Sequence, residues 1–105
     1  MNESLSEFGR FSDPAMLILV SLANGSKHGY AMIEDIAAVA GIRLGPGTLY
    51  GAIARLEANH FIEPLPSDDR RRPYRLTGAG AEALRERIAS MQVIADVGRR
   101  RLAQA

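Results

Sequence analysis

Four arginines lie within six consecutive positions that contain no acidic residue: Arg70, Arg71, Arg72 and Arg75. Like charges at this spacing repel one another, so they are seldom retained for stability alone. Contact with an anionic partner explains them, and the sequence therefore predicts an anion-binding loop. A solvated loop without a partner is the alternative. The formal net charge of +1 does not distinguish between the two.

The residues on which enzymes and metal centres depend are scarce. The sequence has no Cys, which excludes disulfides, thiolate metal sites and a Cys nucleophile. His28 and His60 are the two histidines, too few for a histidine-based zinc site. No nucleophile with a base and no paired carboxylates occur at a useful spacing. We therefore expect a protein that is not an enzyme and that needs no cofactor or metal.

A helix with one inward and one open face is predicted to begin at Pro46 and to end near His60. Its inward face is marked by apolar residues at i, i+4 and i+7: Leu49, Ile53 and Leu56. Its opposite face carries small side chains and two that form hydrogen bonds or ion pairs: Thr48, Tyr50, Gly51, Ala54 and Arg55. The start of the helix, from Gly45 through Gly47, leaves free backbone N–H groups that suit a phosphate. The pattern favours a helix that approaches DNA closely; an ordinary surface helix is the alternative.

Two further helices are predicted ahead of it. Asp13 is an N-cap acceptor followed by Pro14 at the first helical position. The helix that follows is apolar almost all round, which is typical of burial on most faces, and Asn24-Gly25 stops it. The second helix covers about residues 28–40 and ends at Gly41.

Two short strands, residues 61–65 and 72–77, are predicted to form a hairpin. Pro64 and Pro73 would each remove a hydrogen-bond donor from the ladder, which restricts both to edge positions. Asp68-Asp69 between the strands either shapes the turn through side-chain to backbone bonds or lies at its tip.

A long last helix is predicted to begin after Thr77 and to reach Leu102. Apolar or small residues recur along it at alternating spacings of three and four, as in a coiled-coil seam: Ala81, Leu84, Ile88, Met91, Ala95, Gly98 and Leu102. A helix of about 35 Å, at 1.5 Å per residue, is too long to bury this seam on so small a body. A second copy is therefore the predicted partner, and packing on the first helix is the alternative. Basic residues at the end of the helix complement its dipole, in preference to a second anionic contact: Arg99, Arg100 and Arg101.

The order helix, helix, short turn, helix, hairpin, long helix is that of a winged helix-turn-helix. The DNA major groove admits one helix, and two helices behind it bury its apolar face. We therefore expect a mainly α chain with a small β-hairpin, in which residues 14–77 form the DNA-binding domain and residues 78–105 a dimerisation helix. Residues 1–13 are either a short helix, for which Ser4 and Glu7 have capping-box spacing, or a frayed arm.

The motifs in these elements resemble, as a set, the signature of PadR-type transcriptional regulators. The matching residues are His28-Gly29-Tyr30, Gly47-Thr48-Leu49-Tyr50, Ile53, Arg55-Leu56-Glu57, Phe61-Ile62, Tyr74-Arg75-Leu76-Thr77 and Gly80. The resemblance covers about residues 14–90, and the chain is similar to the short subfamily with one C-terminal helix. It departs from the pattern at His60, where the family usually has Gly; His tolerates the left-handed backbone region better than most residues.

The resemblance implies a homodimeric winged-helix repressor that an effector releases from double-stranded DNA, with a pseudo-palindromic operator. The predicted DNA contacts are Gly47, Thr48, Tyr50, Gly51, Arg55, Arg70, Arg71 and Arg72. The predicted dimer contacts are Leu84, Ile88, Met91, Ala95, Gly98 and Leu102. Tyr30 is interpreted as a core residue with its hydroxyl at the surface, in preference to a phosphate contact.

Three expectations concern partners and location. A winged helix that binds a protein without DNA is the alternative function, because fold alone does not fix function. A small hydrophobic effector would contact Phe8, Phe11, Met91 and Ile94, since the last helix offers no aromatic residue. The longest apolar stretch, residues 14–23, is too short to span a bilayer and lacks the features of a signal peptide, so a cytoplasmic protein without a membrane partner is expected.

Overall fold

The computed structural model describes residues 13–67 and 70–105. Within them, helices and strands follow the predicted order, with one additional strand near the start: α1 Pro14–Leu22, β1 Lys27–His28, α2 Gly29–Ala40, α3 Pro46–Ala58, β2 Ile62–Pro64, β3 Pro73–Leu76 and α4 Gly78–Gln104. The expectations for Ser4, Glu7, Phe8, Phe11, Asp68 and Asp69 lie outside the described residues.

Side-chain caps fix the helix starts. The Asp13 carboxylate accepts hydrogen bonds from the backbone N–H groups of Ala15 (3.1 Å) and Met16 (3.3 Å), as its position before Pro14 predicts. The Thr77 hydroxyl accepts from the Gly80 N–H at 3.0 Å. These two caps satisfy backbone N–H groups at the starts of α1 and α4, two helices that pack on each other.

The strands form a three-stranded antiparallel sheet in the order β1-β3-β2. The predicted edge position is confirmed for Pro64, which ends the outer strand β2, and is wrong for Pro73, which lies in the central strand. Pro73 is tolerated because it is the first residue of β3, where a missing N–H interrupts the ladder least. Its carbonyl still accepts from the Leu65 N–H at 2.9 Å.

The core is aliphatic and draws on every helix. Its four large side chains with essentially no exposed surface come from three helices and the sheet: Ile18, Met32, Leu49 and Ile62. Because α1 contributes residues from almost its whole circumference, it lies between α2, α3 and α4. The body that holds α3 and the sheet in place is therefore built around α1.

Helix α4 extends well beyond this body, and the described residues span 57 Å in their longest dimension. Leu84 near its start is buried in the core, whereas Ile88 is 42% exposed and Leu102 is 77% exposed. The first part of the seam thus packs on the chain itself, which is the alternative interpretation; beyond it Met91 is partly buried, and the other seam residues are exposed. Within one chain, Ala95 and Gly98 are also exposed.

Candidate nucleic-acid interface

Helix α3 divides into the two predicted faces. Leu49, Ile53 and Leu56 are buried, together with Ala52. The residues predicted to approach DNA lie on the open side: Gly47, Thr48, Tyr50, Ala54 and Arg55 are exposed and Gly51 is half-buried. The N-cap residue Gly45 has no side chain to cap the first N–H groups, so these are not satisfied by a cap.

Tyr50 packs on the first residue of α2. A methyl group at Gly29 would lie 2.6 Å from Cζ and 2.9 Å from Cε1 of Tyr50, closer than any real contact of this kind. The Tyr50 ring thus occupies space that only a glycine at position 29 leaves free, and a larger residue there would displace the ring. Half of the surface of Tyr50 remains exposed.

A cleft of about 380 Å³ opens beside this contact, between the start of α2, the exposed face of α3 and the loop that connects β2 to β3. Three tyrosines and three arginines contribute to its walls: Tyr30, Tyr50, Tyr74, Arg70, Arg71 and Arg72. The sequence predicted the arginine loop and the α3 face separately; the structure places them on two sides of one cleft.

The connecting loop between β2 and β3 is the wing, and three of the four clustered arginines lie on it. Arg70, Arg71 and Arg72 are exposed. Arg75 lies in β3 itself and forms an ion pair with Glu63, its partner in the antiparallel register of β2 and β3. The fourth arginine of the cluster therefore supports the sheet, and three face the cleft.

Tyr30 is 60% exposed, so its interpretation as a core residue is wrong. It lies in the first turn of α2, where the inward positions are taken by Met32 and Ile33. Glu34, one turn further on, binds Arg43 through two hydrogen bonds of 3.2 Å. The hydrogen bonds and the charge of Arg43 lower the pKa of Glu34, and a hydrogen bond from Tyr30 acts in the same direction.

The environment of Tyr74 favours the protonated form of its hydroxyl. Partial burial raises the pKa of its hydroxyl, the negative charge of Glu57 raises it further, and Arg72 opposes both. The hydroxyl therefore keeps its proton throughout the neutral range. A protonated phenol beside arginines presents donors to an anion from two kinds of group.

Only some of the residues predicted to contact an effector or a second copy lie together in one groove. A groove of about 270 Å³ lies between α1 and α4 and is lined by Met16, Ile88, Met91, Gln92 and Ala95. Met91 thus reaches it, whereas Ile94 is 71% exposed and is not among its lining residues. In residues 13–67 and 70–105, no group of three or more His, Cys, Asp or Glu side chains is arranged to hold a metal ion.

The β1 strand and the Gly29–Tyr50 contact are the parts of this site that sequence reasoning missed. Two residues are too few for a strand to show any periodicity. The Gly at position 29 was a usable signal, since a glycine inside a helix start is unfavourable unless something approaches its backbone closely.

Three packed helices, a β-sheet whose loop projects beside α3, and an arginine-lined cleft between them together define a winged-helix DNA-binding fold. The sequence profile of the family described as transcriptional regulator PadR-like matches residues 18–86. The chain belongs to the PadR-like family of transcriptional regulators.

Individual proteins of known sequence or structure are also similar to this chain. The chain is 37% identical over 81 residues to transcriptional regulator Rv3488 of Mycobacterium tuberculosis, covering 74% of this chain and 75% of that protein. It is 51% identical over 82 residues, 78% of its length, to an uncharacterized 37.1 kDa protein in transposon TN4556 of Streptomyces fradiae, of which it spans only about a quarter (24%). A PadR family transcriptional regulator from Eggerthella lenta has a similar structure, with a TM-score of 0.75, 31% identity, and coverage of 90% of this chain and 86% of that one.

The family, the mycobacterial relative and the Eggerthella structure are all described as transcriptional regulators and not as enzymes. Across the described part of the chain, no helix has both the length and the hydropathy needed to cross a bilayer.

Proposed function

We propose that the chain is a sequence-specific regulator that binds double-stranded DNA through the exposed face of α3 and the wing. One observation carries the proposal: Arg70, Arg71 and Arg72 lie on the same cleft as Tyr50 of α3. With α3 in the major groove, the wing then reaches the neighbouring phosphates. Family membership supports DNA as the partner in preference to a protein.

The two surfaces have different roles in this proposal. Exposed arginines contact phosphates and supply affinity that is independent of sequence. Sequence is read from the first turns of α3, where Thr48 offers a hydroxyl and Gly47 leaves room for a base edge. Arg55, more than one turn further along, turns back toward Gly51, where a methyl group would lie 3.8 Å from its Nη1. It is the second candidate for a base or phosphate contact on this face.

The regulator acts as a homodimer, with the open part of α4 as the interface. The groove beside Met16 and Met91 and the exposed side chains beyond it form one apolar strip along α4. Ala95 and Gly98 let a second helix approach closely. Two copies related by a two-fold axis would read a pseudo-palindrome whose half-site centres are about one helical turn apart, or a multiple of it.

Repression with release by a small hydrophobic effector is the mode of regulation we propose, and the groove between α1 and α4 is its candidate site. An effector there would contact both the core helix α1 and the dimer helix, so its binding could change the spacing of the two α3 helices. Such a regulator would act in the cytoplasm.

The test is a mobility-shift titration of the full chain with duplexes from the region upstream of its own gene and with random duplex. We expect a complex on one upstream duplex at a concentration at which random duplex is free. Binding to neither, with the protein folded by circular dichroism, would contradict the proposal and favour a protein-interaction module.

A further inference from the structure

Resting on the proposed function, we infer that the cleft binds one phosphate of the DNA backbone, that the Tyr50 hydroxyl contacts this phosphate, and that Gly29 positions Tyr50. Tyr50 is thereby assigned to the backbone and not to the reading of bases. Gly29 touches no DNA in this proposal and acts through the tyrosine.

The composition of the cleft favours an anion. Its described walls present arginine side chains and tyrosine hydroxyls, and they include no carboxylate. Among the residues that the structure describes, two acids act on groups of the cleft: Glu34, whose charge is paired with Arg43, and Glu57, which acts on Tyr74. A phosphodiester oxygen can therefore accept hydrogen bonds from both kinds of group, the arginine guanidinium and the tyrosine hydroxyl.

The position of Tyr50 argues against a base contact. Its ring lies against Gly29, so the phenol is drawn from the tip of α3 toward α2 and the cleft. A side chain that reads a base must instead project away from the protein into the groove. Thr48, two residues earlier in the first turn of α3, is exposed and is the residue we assign to the reading of bases.

Gly29 makes this arrangement possible. It is buried, and a Cβ there would collide with the tyrosine ring at 2.6 Å. Because Gly29 begins α2 with ordinary helical geometry, alanine is compatible with the backbone itself, and the collision with Tyr50 is the main consequence of Gly29→Ala. The half-exposed Tyr50 ring would have to shift from its place against residue 29, and the inference is that this shift takes its hydroxyl away from the phosphate.

Tyr50→Phe tests the first part. It removes one neutral donor, so affinity should fall about 3- to 10-fold for the operator and for random duplex alike, as expected for one hydrogen bond. The dependence of affinity on salt should not change, because no charge is lost. A selective loss on the operator would mean that Tyr50 reads a base and would overturn the inference.

A set of duplexes that each carry a single methylphosphonate locates the phosphate. At one position per half-site, the methylphosphonate should weaken binding of the wild-type protein. The same methylphosphonate should not weaken binding of Tyr50→Phe any further, because both changes remove the same interaction. If Tyr50→Phe loses as much as wild type at every position, no phosphate is coupled to Tyr50. Titration with inorganic phosphate at constant ionic strength is the second arm; saturable binding without a coupled position would assign the cleft to a free anion and overturn the DNA assignment.

Gly29→Ala tests the positioning role. It should weaken binding about as much as Tyr50→Phe, and the double variant should be no weaker than either. Thermal melting should be measured for each variant. If Gly29→Ala is less stable than wild type, adding Tyr50→Ala, which relieves the collision, should restore the lost stability. Wild-type affinity in a folded Gly29→Ala variant would overturn this part. Absence of DNA binding by the wild type would instead contradict the proposed function itself.

Discussion

His60 adopts a backbone conformation that glycine reaches most easily, with φ of +63°. It follows the end of α3 and is held there by its own backbone: its N–H donates to the Glu57 carbonyl at 2.9 Å and its carbonyl accepts from the Thr77 hydroxyl at 2.7 Å. The resemblance of the sequence to a family with Gly at this position predicted the left-handed turn, and the structure confirms it.

His60→Gly should therefore stabilise the protein. A side chain in the left-handed region costs about 1–2 kcal/mol, and the greater freedom of glycine in the unfolded chain offsets about 0.5–1 kcal/mol of this gain. We expect the free energy of unfolding in urea to rise by up to about 1 kcal/mol. His60→Ala, which keeps the Cβ, is the matched control and should not stabilise. Equal effects of the two variants would show that the conformation is not the cause.

Thr48 is the residue for which a loss of sequence preference is expected. Its side chain is exposed near the start of α3. Thr48→Val removes the hydroxyl and keeps the shape, so it should narrow the difference between operator and random duplex by about 1–3 kcal/mol. Thr48→Ser keeps the hydroxyl and serves as the control. Equal losses of affinity for both duplexes, measured by fluorescence anisotropy, would show that Thr48 contacts the DNA backbone and not a base.

Side-chain chemistry was easier to predict than side-chain surroundings. The caps at Asp13 and Thr77 follow from residue type and from the next few positions, because a cap is a local interaction. The exposure of Tyr30 and the packing of Tyr50 on Gly29 depend on how two helices cross, and no short segment encodes that.

At the scale of elements, α4 has two roles, packing on its own chain and offering a surface to a second copy. The apolar periodicity of the seam does not distinguish between them. Leu84 packs into the core of its own chain, and the later seam residues leave that body behind. The periodicity predicted both parts because it reports only which face is apolar. How much of α4 is covered by the same chain depends on the tertiary structure and not on the periodicity.

Substitution of the open part of the seam should abolish the dimer without unfolding the monomer. Ile88→Lys with Ala95→Lys places two charges on the groove side of α4 and leaves the partly buried Met91 in place. We expect a monomer by light scattering at micromolar concentration, together with loss of operator binding. Ala89→Lys with Val93→Lys adds the same charge on the opposite side and should remain dimeric. A dimeric first variant would show that the interface lies elsewhere.

The sheet illustrates what a sequence does not reveal at this scale. The β2–β3 hairpin was predictable because its strands are close in sequence and a turn joins them. Strand β1 forms only because Lys27 and His28 pair with Tyr74 and Pro73 far along the chain. This distant pairing also brings the start of α2 to the cleft.

At the scale of the whole molecule, one core orients three functional parts. Helix α1 packs against the other three helices, so α3, the wing and α4 keep a fixed arrangement. The order of elements predicted this architecture, since a winged helix is the common way to cover the back of a presented helix. The cleft between α2, α3 and the wing emerged only from the folded chain.

The central claim is that the wing and α3 bind DNA, and salt dependence tests it most directly. Each phosphate contact contributes about 0.9 to the magnitude of the slope of log K against log salt concentration. Arg71→Ala with Arg72→Ala should flatten the slope by about two per wing and weaken operator and random duplex alike. Arg100→Ala with Arg101→Ala removes the same charge at the far end of α4 and should leave the slope unchanged. Equal slopes for the wing variant and the wild type, or flattening by the α4 control alone, would contradict the claim.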